Sequence, residues 1–72
     1  MKAGNNMISQ FWKVRSRADV VIVSLEVNNN HGPALAWEAL IVLRSGTRLH
    51  GFGRMQSEAC NEAMKKYRGV QA

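Results

Sequence analysis

Five residues in the second half of the sequence combine positive charge with one aromatic ring. They are Arg44, Arg48, His50, Phe52 and Arg54. Cationic side chains bind phosphate and release its counterions, and an aromatic ring among them can stack on a base. Each of these residues is separated from the next by an even number of positions, so in an extended chain their side chains fall on one face. The pattern indicates a surface for nucleic acid. The alternative is a solvated strand face with Phe52 half covered by a loop or a second subunit.

Residue types that carry out catalysis are few in this chain. It has two histidines, one cysteine and five carboxylates, none at a signature spacing. Cys60 falls on the apolar side of a predicted helix, where cysteine usually packs as a small hydrophobic residue. Gly51-Phe52-Gly53 lacks the rest of a phosphate loop and indicates close backbone packing instead. We therefore expect no enzyme activity, no metal and no cofactor.

Two other regions provide lesser candidates for binding. The polar segment 28–33 contains three successive asparagines, and Asn30 and His31 within it offer hydrogen-bond donors and acceptors. An ordinary solvated turn is the alternative for this segment. Lys13 and Arg17 stand four residues apart beside a predicted helical face. We add these four residues to the predicted nucleic-acid contacts.

The overall charge favours an anionic partner. The 72 residues include ten Lys and Arg against five Asp and Glu, a net charge of +5. Four of the cations and no acid fall within residues 1–17. Nucleic acid is the first partner to expect and a membrane surface the second. No stretch is long and apolar enough to span a bilayer. Net charge that serves only solubility is the simpler alternative. The single cysteine and the absence of a signal-peptide pattern predict a cytoplasmic protein.

A hairpin followed by a helix must position these residues. The short apolar run Ala39–Leu43 predicts a strand. A three-residue loop, 44–46, with Gly46 in the left-handed conformation pairs Leu43 with Thr47 and Ile41 with Leu49. This register keeps the apolar and basic faces separate. The apolar spacing then becomes helical, which predicts a helix from position 56 or 57 to Tyr67, ended by Gly69.

The remaining segments extend this unit. Asp19–Val27 predicts a strand with Val21, Val23, Leu25 and Val27 on one face. The second strand is predicted over Leu35–Leu43, with Trp37 towards the helix. Residues 7–17 favour a helix, although an extended strand also fits their pattern. The predicted fold is a single α+β domain: a helix, a three-stranded antiparallel sheet and a second helix packed on one face. Residues 1–6 and 70–72 are expected to be disordered.

Residues 20–67 resemble a double-stranded-RNA-binding domain. The motifs that match in order and spacing are His31-Gly32-Pro33, Trp37, Gly51-Phe52-Gly53, Ala59 and Ala63. The resemblance implies the fold predicted above, with RNA contacts from the first helix, the first loop and the start of the second helix. In the first loop these contacts carry over to Asn30, His31 and Gly32. At the helix start, residues 55–60 stand where that family has lysines.

The segment Gly46–Arg54 is also similar to a strand of the arm-type DNA-binding domain of phage integrases, which ends in Gly-x-Gly-Arg. In that family a three-stranded sheet enters the DNA major groove, which implies contacts from Arg44, Arg48, His50 and Arg54. Both resemblances imply a small non-catalytic nucleic-acid-binding protein, and the second implies that a basic sheet face makes the contact. The alternative is a protein-interaction or inhibitor module of the same fold, which includes the case of a homodimer. Its interface would contain Leu40, Val42 and Phe52.

Overall fold

The computed structural model describes the backbone of residues 3–28 and 36–71 and the side chains of 7–28 and 36–70. Helix α1 spans Ala3–Lys13 and continues into a 3₁₀ turn, Val14–Ser16. Strands β1 (Val20–Val27), β2 (Trp37–Leu43) and β3 (Arg48–Gly53) follow, and helix α2 spans Gln56–Gln71. The strands form an antiparallel sheet in the order β1-β2-β3. The predicted α+β fold is confirmed.

The β2–β3 hairpin has the register that the sequence predicts. Ile41 pairs with Leu49, and the amide of Leu43 donates to the carbonyl of Thr47 at 2.9 Å. Gly46 has a φ of +95°, a left-handed conformation that side chains with a Cβ rarely adopt. The turn residue therefore fixes which face of β3 meets the helices. Leu49 is buried, whereas Arg48, His50 and Phe52 point away from the helices.

The predicted face pattern of β1 is wrong at the start of the strand. Ile22 pairs with Val42, but Val20 pairs with Leu43, so one extra residue stands between them. This β-bulge turns Val20 into the core and leaves Val21 exposed. Beyond the bulge the prediction holds, because Val23 and Leu25 lie on the helix side and pack against the core.

One apolar core lies between the sheet and the two helices. Its buried members are Phe11, Val14, Val20, Ala39, Ile41, Leu43, Leu49, Ala59, Cys60, Ala63, Met64 and Tyr67. Gly51 lets α2 approach β3 closely, since a Cβ built there would collide with the backbone of Ala59 and Ala63. Gly53 meets α2 in the same way, with the amide nitrogen of Ala59 only 2.8 Å from its built Cβ. The predicted packing role of these glycines is confirmed.

The two helices differ from the sequence prediction at their ends. Helix α1 begins at Ala3 and ends at Lys13, so it is shifted towards the amino terminus relative to 7–17. Helix α2 continues past Tyr67 to Gln71, and Gly69 does not end it. Among the described residues only Gly46 has a positive φ, so Gly69 lacks the left-handed conformation of a helix stop.

Side chains close the carboxyl end of β3 and its open edge. The backbone amide of Arg54 donates to a Glu58 carboxylate oxygen at 3.0 Å, which joins the end of β3 to the first turn of α2. The ammonium group of Lys66 donates to the carbonyl of His50 at 2.6 Å. His50 stands opposite Leu40 on an edge strand. This carbonyl, which would otherwise face solvent, therefore accepts a hydrogen bond from a side chain of α2.

Candidate nucleic-acid interface

Three of the five main candidates come together on the side of the sheet that faces away from the helices. We call this side the outer face; its residues are Ile22, Ser24, Glu26, Glu38, Leu40, Val42, Arg48, His50 and Phe52. The rings of His50 and Phe52 are stacked, with centroids 6.1 Å apart and planes inclined by 3°. Arg48 is exposed two residues before His50. Strand alternation therefore places Arg48, His50 and Phe52 in one row on the outer face.

The outer face also carries two carboxylates. Glu38 lies opposite Phe52 and Glu26 lies opposite Glu38. One carboxylate oxygen of Glu38 is 2.7 Å from His50 Nδ1, and the other accepts a hydrogen bond from Asn28 Nδ2 at 2.6 Å. An imidazole engaged by a carboxylate attracts a phosphate less than a free cation does. The outer face is thus mixed in charge rather than basic.

The other two main candidates stand beyond the ends of this face. Arg44 belongs to the hairpin turn, and its Nε donates to the carbonyl of Ala18 at 3.1 Å. Arg54 follows the last residue of β3 and is exposed. Arg44 and Arg54 lie at opposite ends of β3, so the two do not converge on one point of the outer face. Asn30 and His31 lie outside the described residues. The binding role of all these residues stays a prediction.

A second group of cations surrounds a groove between the two helices. The groove encloses about 300 Å³ and is lined by Gln10, Lys13, Val14, Arg17, Met64, Tyr67 and Arg68. The Arg68 guanidinium donates to the side-chain oxygen of Gln10 at 3.2 Å, which holds it over the groove. No carboxylate is among the described residues that line it. The groove has an apolar floor and a cationic rim, which suits a phosphate attached to a less polar group.

Trp12 extends this cationic region along α1. Trp12 is not part of the buried core: its side chain is 37% exposed, and its ring lies edge-on to that of Phe11, with centroids 5.4 Å apart. It lines a shallow depression beside the groove, together with Lys13 and Arg15. Lys13 lines both. We call this continuous surface the basic edge: Trp12, Lys13, Arg15, Arg17 and Arg68.

Local structure explains why these side chains converge. After Lys13 the chain tightens into the 3₁₀ turn, where the hydroxyl of Ser16 donates to the carbonyl of Lys13 at 2.9 Å. Arg17 then adopts an extended conformation, with φ −75° and ψ 145°, and leads into β1. The amide of Arg17 donates to the carbonyl of Val14 at 2.9 Å. The 3₁₀ turn ends α1 between these two cations, and both Lys13 and Arg17 line the groove.

The sequence prediction includes Lys13 and Arg17 but omits Trp12, Arg15 and Arg68 from the site. The sequence around Arg68 only suits the negative end of a helix dipole. Its position opposite Gln10 depends on packing between residues 58 positions apart. The clustering of cations without acids in residues 1–17 is a signal for Arg15. For Trp12 an exposed orientation cannot be read from spacing, because Phe11 beside it satisfies the same apolar pattern.

Cys60 is fully buried, as predicted. Its desolvation raises the pKa of the thiol from 9.0 to about 11, so the thiol stays protonated and unreactive at neutral pH. Within the described part of the chain, no three side chains of metal-ligating type come together.

Comparison with known proteins found no match to this chain. No family model, no curated protein and no solved structure matches this chain. Neither described helix has the length and apolar character that a membrane crossing requires. Inference about function therefore depends on the geometry of the basic edge and of the outer face.

Proposed function

We propose that this protein binds nucleic acid without catalysing a reaction and that the basic edge makes the contact. The observation that supports this proposal best is the groove between α1 and α2. Three cations, Lys13, Arg17 and Arg68, line it, and no carboxylate is among its described lining residues. A surface of this kind neutralises phosphates and gains free energy from counterion release. The net charge of +5 adds long-range attraction to a polyanion.

The position of Trp12 favours a strand with unpaired bases. Its ring is exposed beside Lys13 and Arg15, so a base can stack on it while the flanking phosphates meet the cations. Bases within a duplex are stacked on each other and do not offer a free face. We therefore expect single strands, or loops and ends of folded RNA, to bind more tightly than a continuous duplex.

The outer face is the rival surface for the same function. It offers Arg48, His50 and Phe52, but Glu38 engages His50 and Glu26 adds a second negative charge. A phosphate that contacts His50 meets the Glu38 carboxylate, 2.7 Å from the ring nitrogen Nδ1, which opposes binding there. The charge balance thus favours the basic edge.

Two double variants with the same net charge test which surface binds. Lys13→Gln with Arg68→Gln removes two cations from the basic edge, and Arg48→Gln with Arg54→Gln removes two from the sheet. Each variant lowers the net charge from +5 by two, to +3. Fluorescence anisotropy with a labelled single strand and a duplex of the same length, over several salt concentrations, gives the affinities and salt dependences.

We expect the basic-edge variant to lose roughly tenfold or more in affinity and its log–log salt slope to fall by about 2, one per phosphate contact. The sheet variant should lose only what the reduced net charge accounts for. A larger loss in the sheet variant would move the interface to the outer face. Absence of binding to both oligonucleotides at low salt would overturn the proposal. So would binding only to anionic lipid vesicles, which should be titrated in parallel.

A further inference from the structure

We propose that two copies of this chain associate through their outer faces, about a two-fold axis along the diagonal from Ile22 through Leu40 to Phe52. This inference goes beyond nucleic-acid binding, because it uses the side of the sheet that the basic edge does not. A self-complementary surface is the requirement for a symmetric dimer: every group at the interface must find its partner on the same surface of the second copy.

Uncompensated charges occupy two opposite corners of the outer face. Glu26 stands directly across from Glu38, and like charges in this position repel. Glu38 is engaged by His50 and Asn28, whereas Glu26 forms no ion pair with any other described residue. Arg48, at the opposite corner, likewise has no ion-pair partner in the described part of the chain. One subunit thus presents an unmatched negative corner and an unmatched positive corner.

These two corners cannot neutralise each other within one subunit. Glu26 belongs to β1 and Arg48 to β3, with β2 between them. They also lie two rows apart, since Glu26 is level with Phe52 and Ile22 is level with Arg48. Strand spacing and rise place them about 16 Å apart, beyond the reach of a direct ion pair. A second molecule can bring the opposite charge to each corner.

An apolar stripe crosses the face along the other diagonal. Ile22 is 51% exposed at one corner, Leu40 lies half-buried at the centre, and Phe52 lies half-buried at the remaining corner. A row of exposed and half-buried apolar side chains on a sheet is a surface that association with a partner would bury further. Its diagonal course separates the negative corner from the positive one.

A two-fold axis along this stripe brings apolar side chains together and places opposite charges over each other. Ile22, Leu40 and Phe52 each approach their own copy at the axis. Glu26 of one subunit lies over Arg48 of the second, and Glu38 lies over His50. The strands of the two sheets then cross at about 70°, close to the orthogonal class of sheet packing. An axis parallel to the strands would instead place Glu38 against Glu38. The charge pattern therefore selects the diagonal axis.

The size of the face predicts a weak dimer. Three strands of about seven residues define an area of about 14 by 23 Å, or roughly 320 Å² in projection on each subunit. The two subunits together bury roughly 640 Å² by this measure, below the roughly 1,200–2,000 Å² of standard specific interfaces, so we expect a transient dimer with a dissociation constant no tighter than the micromolar range. Both helices lie on the other side of each sheet, and the two basic edges therefore stay accessible in the dimer.

Charge reversal tests the proposed pairing, with sedimentation equilibrium over a range of protein concentrations as the measurement. Glu26→Arg and Arg48→Glu alone should each weaken dimerisation about tenfold or more. The double variant Glu26→Arg, Arg48→Glu should restore it, because the ion pair is then reversed on both sides of the axis. Ile22→Lys should abolish association. Melting temperatures should stay near that of the wild type, since all three positions are exposed.

A wild-type chain that stays monomeric at high concentration would overturn the inference. A dimer that tolerates Arg48→Glu would overturn it as well. That result is expected for pairing through the β1 edge, because Arg48 lies on β3, at the opposite edge of the sheet. This test is separate from that of nucleic-acid binding. A monomer that binds oligonucleotides contradicts only the dimer. A charge-swappable dimer that binds no oligonucleotide contradicts only the proposed function.

Discussion

The hydroxyl of Tyr67, near the end of α2, donates a hydrogen bond to the carboxylate of Asp19, 48 residues earlier, at 3.1 Å. Tyr67 is buried, and its ring forms part of the groove between the helices. The bond holds the carboxyl-terminal half of α2 against the chain that enters β1. It therefore fixes Arg68, the next residue, relative to Arg17, which lies two residues before Asp19.

Removal of this hydroxyl should cost stability without removing the ring. We expect Tyr67→Phe to lower the free energy of unfolding by about 1 kcal/mol, the typical net value of a hydrogen bond. Tyr67→Ala should cost about 3–5 kcal/mol because it also leaves a cavity. Urea denaturation of both variants separates the two contributions. A Phe variant as stable as the wild type would show that the bond contributes nothing.

The close approach of α2 to β3 depends on Gly51. Gly51→Ala should destabilise the fold by about 2 kcal/mol or more, because the added methyl collides with α2 backbone that cannot move independently. Gly69→Ala is the matched control, since a Cβ there has nothing within 4 Å and α2 is helical at that position. The control should be neutral or stabilise by up to about 1 kcal/mol. Thermal melts followed by circular dichroism measure both changes.

The hairpin turn depends on the positive φ of Gly46. A Cβ there meets no neighbouring atom, so the cost of substitution comes from the backbone conformation alone. Gly46→Val should cost about 1–3 kcal/mol, and Gly46→Asn much less, because asparagine tolerates the left-handed region. Comparison of the two midpoints in urea tests the assignment. Equal losses would mean that the conformation of the turn is not what limits substitution.

Burial of Cys60 makes stability depend on pH in the alkaline range. The thiol ionises near pH 9.0 in the unfolded chain but only near pH 11 in the folded one. The stabilisation is fully present below pH 9 and is lost as pH rises towards 11, because the unfolded state releases its proton first. It amounts to up to about 3 kcal/mol. Cys60→Ala should remove this dependence from urea denaturation curves recorded between pH 8 and 11. Parallel pH profiles for wild type and variant would contradict it.

The proposed stacking of a base on Trp12 can be tested through the contribution of this side chain to binding. Trp12→Ala should weaken binding of a single strand by about 5- to 150-fold, the range for loss of one stacked base, and affect a duplex much less. Met55→Ala removes another exposed apolar side chain, away from the basic edge, and should leave the affinity unchanged. Titration of a labelled oligonucleotide measures both. If the two variants behave alike, Trp12 does not stack on a base.

Residues with strong local preferences made the sheet predictable. Gly46 and the apolar alternation on either side determine the hairpin register, and both can be read along a single segment. The bulge in β1 was not predictable from the same rule. Residues 20–23 are all β-branched and apolar, so the run has no polar position to show where the extra residue stands. Pairing with Leu43 and Val42 decides that Val20, not Val21, turns inward.

The candidate site was less predictable because it is assembled from distant segments. Lys13 and Arg17 could be identified from their own spacing. Arg68 joins them only through the packing of α1 on α2, and its contact with Gln10 has no signature in either segment. On the outer face, Glu38 lies beside His50 because of cross-strand register, which also changes the charge of a surface that seemed basic from β3 alone.

The hydrogen bond from Lys66 to the carbonyl of His50 also limits how this protein can polymerise. Growth of a fibril by strand addition requires two free edges on each molecule, one to accept a neighbour and one to offer to the next. Lys66 occupies the β3 edge, and the bulge at Val21 distorts the start of the β1 edge. If two molecules pair through their β1 edges, neither has a second free edge for another molecule, so strand addition stops at a dimer. Open-ended aggregation of the native chain should therefore depend on release of α2 from β3.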